Sequence, residues 1–159
     1  MTFSVVIAGG ENTGFNEVDN VEVADKNTNC KVDKFPTRLH SAVGINGMIC
    51  GGQSYNHYVL SSCWHLNPDG TWTAGEDMLE RRTLFTLSKV QDEIIAIGGQ
   101  TTSNVALRSV EKYSLRKDEG WSRMKDAPTT IDRHCTVMLN TSYLMVIGGQ
   151  QFEVNSNQH

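Results

Sequence analysis

The sequence predicts an all-β chain built from a repeating unit of four short strands. Three observations carry that expectation. An apolar run closed by Gly-Gly occurs four times, strand-like segments and readable turns lie between these runs, and no long stretch holds the 3.6-residue apolar period of a helix.

The glycine pairs set the frame. They are Gly9-Gly10 after Val5-Val6-Ile7-Ala8, Gly51-Gly52 after Met48-Ile49-Cys50, Gly98-Gly99 after Ile94-Ile95-Ala96-Ile97, and Gly148-Gly149 after Leu144-Met145-Val146-Ile147. Their first glycines are 42, 47 and 50 residues apart. One such pair would carry little, but four in step are hard to attribute to chance. A second strand-like segment follows each of the first three pairs: Asn20-Val21-Glu22-Val23, Ser62-Cys63-Trp64-His65-Leu66 and Ser109-Val110-Glu111-Lys112-Tyr113. After a turn comes a bulky position, Trp72 in the second unit and Trp121 in the third, with Cys30 at the matching offset in the first. A fourth segment closes each unit: His40-Ser41-Ala42-Val43, Leu84-Phe85-Thr86-Leu87 and His134-Cys135-Thr136-Val137-Met138.

The turns between these segments have local causes. Asn46-Gly47 is the strongest short hairpin signal, because both residues tolerate positive φ. Asn67-Pro68-Asp69-Gly70 is an equally readable turn, and Gln91-Asp92-Glu93 and Asn140-Thr141-Ser142 occupy the place of Asn46-Gly47 in later units. The three prolines, Pro36, Pro68 and Pro128, all fall in connections. Four short strands at a period of roughly 40–50 residues describe one blade of a β-propeller.

In this combination the sequence resembles the kelch family. The third unit carries the resemblance most fully, with Gly98-Gly99, Tyr113, Trp121, Met124, Pro128, Arg133 and His134. The first departs from it at Cys30, and the second has Arg82-Thr83 where the family often has Arg-His. The match runs from about Ser4 to Gly149. It implies one domain over 1–159, a partial kelch-type propeller with units at about 4–46, 47–92 and 93–142 and the start of a fourth at 143–159. That is about three four-stranded blades plus the first strand of a fourth. Because propellers close with ~4–8 blades, it also implies a piece of a longer protein. The glycine pairs are expected to permit close backbone approach with tryptophan packed over them, and most core burial is expected between neighbouring units.

Composition narrows the function. The chain is 38% hydrophobic and 20% charged, as folded proteins are. A net charge of −4 gives no basic face for nucleic acid. No run approaches the ~18–20 apolar residues that cross a bilayer. No nucleic-acid partner and no membrane insertion are therefore expected. Nucleophile elbows, phosphate-binding glycine loops, Cys-x-x-Cys and His-x-x-x-His are all absent, and the carboxylates are scattered. No catalytic residue, metal or cofactor is expected. The enzymatic rival implied by the resemblance is a galactose-oxidase-like, copper-dependent carbohydrate oxidase. Its metal needs tyrosine, histidine and a cross-linked cysteine, and Tyr55, Tyr58, Tyr113 and Tyr143 do not align with that set. A structural spacer domain of an extracellular protein is the third reading.

The favoured reading, also implied by the resemblance, is a scaffold that binds a partner protein or peptide through loops at one end of the propeller. The arginines before the fourth segment, Arg38, Arg82 and Arg133, are the expected contacts, since a guanidinium fork suits carboxylates. The alternative is that they pair with acids between blades. His40 and His134, read as equivalent, are expected to be structural. Two features lean towards an extracellular setting. Asn140-Thr141-Ser142 is an N-glycosylation sequon on a turn, and Cys50 and Cys63 fall on strands expected to be neighbours, where a disulfide can form.

Overall fold

The computed structural model describes residues 5–8, 21–24, 32–102, 105–116 and 120–150. Gly9, Gly10, Cys30 and the tail after Gln150 lie outside the described residues. Within them all regular structure is strand. In chain order the strands are β1 (Val5–Ala8), β2 (Val21–Ala24), β3 (Leu39–His40), β4 (Val43–Ile45), β5 (Met48–Cys50), β6 (Gln53–Ser54) and β7 (Cys63–Leu66). They continue with β8 (Trp72–Ala74), β9 (Thr86–Val90), β10 (Glu93–Ile97), β11 (Val110–Ser114), β12 (Trp121–Arg123), β13 (Asp132–Met138) and β14 (Leu144–Gln150).

Two antiparallel sheets have four strands, in the orders β4-β5-β7-β8 and β9-β10-β11-β12. The pairs β1-β2, β13-β14 and β3-β6 form two-stranded sheets. The chain is thus all-β, with the four-stranded units of a partial kelch-type propeller. Sheet and sequence unit are offset by one strand. The segment that closes each sequence unit opens the next sheet, ahead of its Gly-Gly strand. These opening strands, β4, β9 and β13, stand side by side. Hydrogen bonds between Thr86 Oγ1 and His134 Nε2 (3.0 Å) and between Ser88 Oγ and Thr136 Oγ1 (2.7 Å) link β9 to β13.

Local sequence explains the elements. Asn46 and Gly47 take φ of 53° and 75° between β4 and β5, as a two-residue hairpin turn requires. The β7–β8 turn closes with Gly70 N–H donating to Asn67 O at 3.0 Å. In β10 the continuous apolar run is explained by burial on both faces. Ile94 and Ala96 join Met48, Cys50, Phe85, Leu87 and Trp121 in the core between the two four-stranded sheets. Ile95 and Ile97 face the other way, with Val110 and Leu144. A strand covered on both sides has no polar face to alternate with.

Among the described residues the glycine pairs do not serve as tryptophan platforms. Gly98 and Gly99 have φ of 58° and 93°, and a Cβ on Gly98 would collide with the carbonyl oxygen of Ile131. A Cβ on Gly51 would lie 2.5 Å from the Arg82 carbonyl oxygen. The backbone leading into the next sheet therefore fills that space. The tryptophans fasten a different seam. Trp121 is buried beside Tyr113, with ring centroids 5.5 Å apart, and its Nε1–H donates to Glu76 O at 3.1 Å. Trp72 does the same one sheet earlier, donating to Asp33 O at 3.1 Å with Phe35 edge-on at 4.9 Å. Each indole thus holds the connection that precedes its own sheet. Trp121→Ala is expected to lower stability by about 3–5 kcal/mol, the usual range for a buried tryptophan. Trp72→Ala should lose clearly less, because its ring is only half-buried. Urea midpoints of the two variants at constant m-value check the ranking.

Candidate partner-binding site

Backbone hydrogen bonds fix which residues of successive units are equivalent. Gly52 N–H donates to Arg82 O and Gly99 N–H to Ile131 O, both at 2.8 Å. Arg82 N–H donates to Leu60 O and Ile131 N–H to Leu107 O, both at 3.0 Å. Arg82 and Ile131 therefore occupy the same place. Positive φ at Ser41, Leu84 and Arg133 (54°, 56° and 51°) marks a second common place two residues on, which makes Leu39 the first counterpart of Arg82. Arg38, Arg82 and Arg133 thus sit at three different positions of the unit, not one. The two histidines are likewise offset. His40 pairs with Gln53 as Asp132 pairs with Gln150.

Arg82 is withdrawn from the surface. Its side chain is 0% exposed. Nη1 donates to Gly98 O (2.7 Å) and Ser109 O (3.0 Å), and Nη2 donates to Ser109 Oγ (2.8 Å) and Glu111 Oε1 (2.6 Å). Glu111, also 0% exposed, accepts the backbone N–H groups of Leu79 (2.7 Å) and Glu80 (3.0 Å). Buried charges persist only when paired and hydrogen-bonded, and here both conditions hold. Arg82 therefore clamps one sheet's exit to the next sheet and does not reach a partner, which is the inter-blade alternative weighed for it. Arg133 is half-exposed and donates to buried Asp132 (3.0 Å) and to Gln150 Oε1 (2.7 Å). Arg38 is exposed beside β3.

An open cleft lies at the same end. The β6–β7 loop and the β8–β9 connection enclose about 440 Å³, lined by Tyr58, Val59, Leu60, Ser61 and Ser62 on one side and Asp77 and Arg81 on the other. The loop is folded on itself, with Ser54 N–H donating to Tyr58 O (2.9 Å) and His57 N–H to Ser54 O (2.8 Å). That leaves Tyr55 and Tyr58 62% and 58% exposed. Ser61 Oγ donates to Asp77 Oδ2 at 3.3 Å across the cleft, and Arg81 stands exposed with no described carboxylate paired to it. Arg81 was not singled out from the sequence. Its neighbour Arg82 points inward, and a one-residue step along an extended segment reverses the side chain. The signal that was available is Tyr55 and Tyr58 on one short polar loop.

The remaining singled-out residues are spread out. Cys50 and Cys63 face each other across β5 and β7 with Cα atoms 4.1 Å apart and are joined by a disulfide. Cys135 is a free, exposed thiol. Asn140 is exposed at the β13–β14 turn, where its Oδ1 accepts the N–H groups of Ser142 (2.9 Å) and Tyr143 (3.0 Å). Tyr113 packs in the core, away from Tyr55 and Tyr58 on their loop and Tyr143 at the opposite turn. Among the described residues no three His, Cys, Asp or Glu side chains gather as a metal site.

Two stability outcomes follow from these contacts. Arg82→Met leaves Glu111 buried without its counter-ion and should cost about 3–5 kcal/mol, whereas Arg38→Ala should be nearly neutral, as read by chemical denaturation. Burial holds the His134 pKa below the ordinary histidine value of 6.5, against the opposing charge of Asp132. In the window below about pH 6.5 the unfolded chain therefore binds more protons than the folded one. Stability falls as pH drops through it. His134→Gln should flatten that slope in pH-resolved denaturation.

Comparison with known proteins agrees with this architecture. The Kelch motif family matches residues 81–126. "Kelch repeat and BTB domain-containing protein 2" of Ectromelia virus (strain Moscow) is 30% identical over 84% of this chain and 24% of that protein. The protein of the same name from Cowpox virus (strain GRI-90 / Grishak) is 31% identical over 65% of this chain and 18% of its own length. "Kelch-like protein 36" of Bos taurus is 30% identical over 52% of this chain and 13% of its own length. The chain spans about a quarter or less of these relatives. With the glycine-seated sheets, the tryptophan seams and these similarities together, the chain belongs to the kelch-repeat family.

Proposed function

We propose that the chain is a protein-interaction scaffold that holds a peptide segment of a partner protein in the cleft between the β6–β7 loop and the β8–β9 connection. The observation that carries this reading is an exposed tyrosine, Tyr58, and an exposed arginine, Arg81, lining one concave site, with exposed Tyr55 on the same loop. Tyrosine offers a large, stiff, amphipathic surface of the kind that anchors interfaces. The Arg81 guanidinium suits a carboxylate, and Asp77 opposite it suits a backbone N–H or a cationic side chain. The fitting ligand is an extended peptide with an apolar residue for Tyr55 and Tyr58 and an acidic residue for Arg81. The words Kelch repeat and Kelch-like in the names of the relatives support a scaffold of this kind. A concave site favours binding over a spacer role. No catalytic step and no cofactor enter the proposal. Arg38 adjoins β3, which pairs with β6 at the root of the loop, and the proposal gives it a secondary contact.

Selection of displayed random peptides on the immobilised chain, followed by solution titration of the selected peptide, tests the reading. Tyr58→Ala and Arg81→Ala should each weaken binding at least tenfold, about 1.4 kcal/mol, with the unfolding midpoint unchanged. Arg38→Ala should weaken it less. Peptides that bind both cleft variants as tightly as the native chain would overturn the assignment.

A further inference from the structure

The cleft has one wall whose root is closed by a covalent bond. Cys50 ends β5, Cys63 begins β7, and the bond between them encloses residues 51–62, the loop that carries Tyr55 and Tyr58. Other units provide an internal comparison. The same register position holds Ala8 opposite Val21 in the first unit and Ile97 opposite Val110 in the third. An aliphatic pair therefore suffices for these strands to pair, and the disulfide adds something else.

What differs is how the loop root is held. In the third unit the root is Gly98 and Ser109, where Gly98 N–H donates to Ser109 O at 3.1 Å. Arg82 clamps both carbonyls through Nη1, and Glu111 backs it. In the second unit the matching root is Gly51 and Ser62, with Gly51 N–H donating to Ser62 O at 2.9 Å. There the counterpart of Arg82 is Leu39 and the counterpart of Glu111, by register, is Trp64. Neither carries a charge, and among the described residues neither side chain makes a hydrogen bond to those carbonyls. The bridge lies one residue beneath that root, where the ionic clamp is missing.

We propose that the Cys50–Cys63 bond is a redox latch on the β6–β7 loop. In the oxidised chain it fixes the loop and with it one wall of the cleft. A dithiol reductant attacks one sulfur, the S–S bond breaks through a mixed disulfide, and the reductant closes to its own disulfide. Two electrons and two protons pass to Cys50 and Cys63, which become thiols. The loop is then held only by its hydrogen bonds. Both sulfurs are buried, so attack waits on loop opening and an occupied cleft slows it. The consequence for a partner rests on the reading of the cleft as a binding site; the latch itself does not.

Hydrogen–deuterium exchange of the full chain, in a Cys30→Ser, Cys135→Ser background that prevents thiol shuffling, tests the latch with dithiothreitol as reductant. Reduction should speed amide exchange in 51–62 at least tenfold and leave 98–102 and 105–109 unchanged. Cys50→Ile with Cys63→Val, which installs the aliphatic pair of the third unit, should match the reduced chain and ignore dithiothreitol. Unchanged exchange in 51–62 on reduction overturns the latch. So does an equal rise in both loops, which would make the bond a general staple. Because no peptide is present, failure here is separate from failure of Tyr58→Ala and Arg81→Ala to weaken peptide binding.

Discussion

The structure depends on one contact, the seating of a connecting backbone on a glycine pair. The N–H of the second glycine donates to the carbonyl of the chain entering the next sheet, at 2.8 Å for both Gly52 and Gly99. The same carbonyl fills the space that a Cβ on the first glycine would need. Two demands meet there. The strand must turn through positive φ at consecutive residues, and its backbone must admit another backbone at contact distance. Glycine alone meets both without strain. Once the connection is seated, its alternation is set. Arg82, whose carbonyl makes the contact, sends its side chain inward, and Arg81 before it is left exposed. The buried clamp and the open cleft are two consequences of one backbone register.

The clamp ties this seam to the loops. Arg82 lies between the Gly98 and Ser109 carbonyls and the Glu111 carboxylate, while Glu111 holds the Leu79 and Glu80 amides of the connection from which Arg82 comes. The network closes on itself: connection to strand, strand to loop root, loop root to connection. Glu80 extends it outward. Its partial burial alone would raise its pKa, but hydrogen bonds from Ser109 and Arg123 hold it below the ordinary value. Such a network adds less net stability than its contacts suggest, because desolvating the charges offsets much of the attraction. Its stronger effect is geometric, since only one arrangement of the three segments pairs every charge.

Much of the fold was legible because its causes are local. Asn46-Gly47 and the glycine pairs announce positive φ within two residues, and the apolar runs of β10 and β14 announce strands. The equivalence of the arginines was not legible, for a definite reason. The glycine pairs are spaced 42, 47 and 50 residues apart, so the connections differ in length and residue counting loses the register. Hydrogen bonds to the glycine pairs recover it. The cleft was hidden for a related reason. Arg81 and Arg82 are adjacent and chemically identical in sequence, and only the seating of Arg82 O on Gly52 N–H decides which one faces solvent.

Repetition also separates what the fold requires from what a single unit adds. In the third unit an aliphatic pair, Ile97 and Val110, packs at the position of Cys50 and Cys63, so apolar contact suffices there. Trp72 and Trp121, at the same place in successive sheets, each donate to the backbone of the preceding connection, so that seam is a requirement as well. The Arg82–Glu111 pair is what one unit adds: Leu39 and Ile131 hold the place of Arg82 elsewhere, and where Leu39 stands, Trp64 stands in place of Glu111. An arginine without its glutamate, or the reverse, would leave a buried charge unpaired, at a cost well above that of losing both. The two positions are therefore coupled, and a unit lacking one is expected to lack the other. Phe35 and Trp64, 6.1 Å apart and edge-on, lie in the seam where the third unit keeps its ion pair. An apolar seam can hold the sheets together but cannot bond the loop-root carbonyls. That leaves the second loop, and not the third, in need of a separate tie.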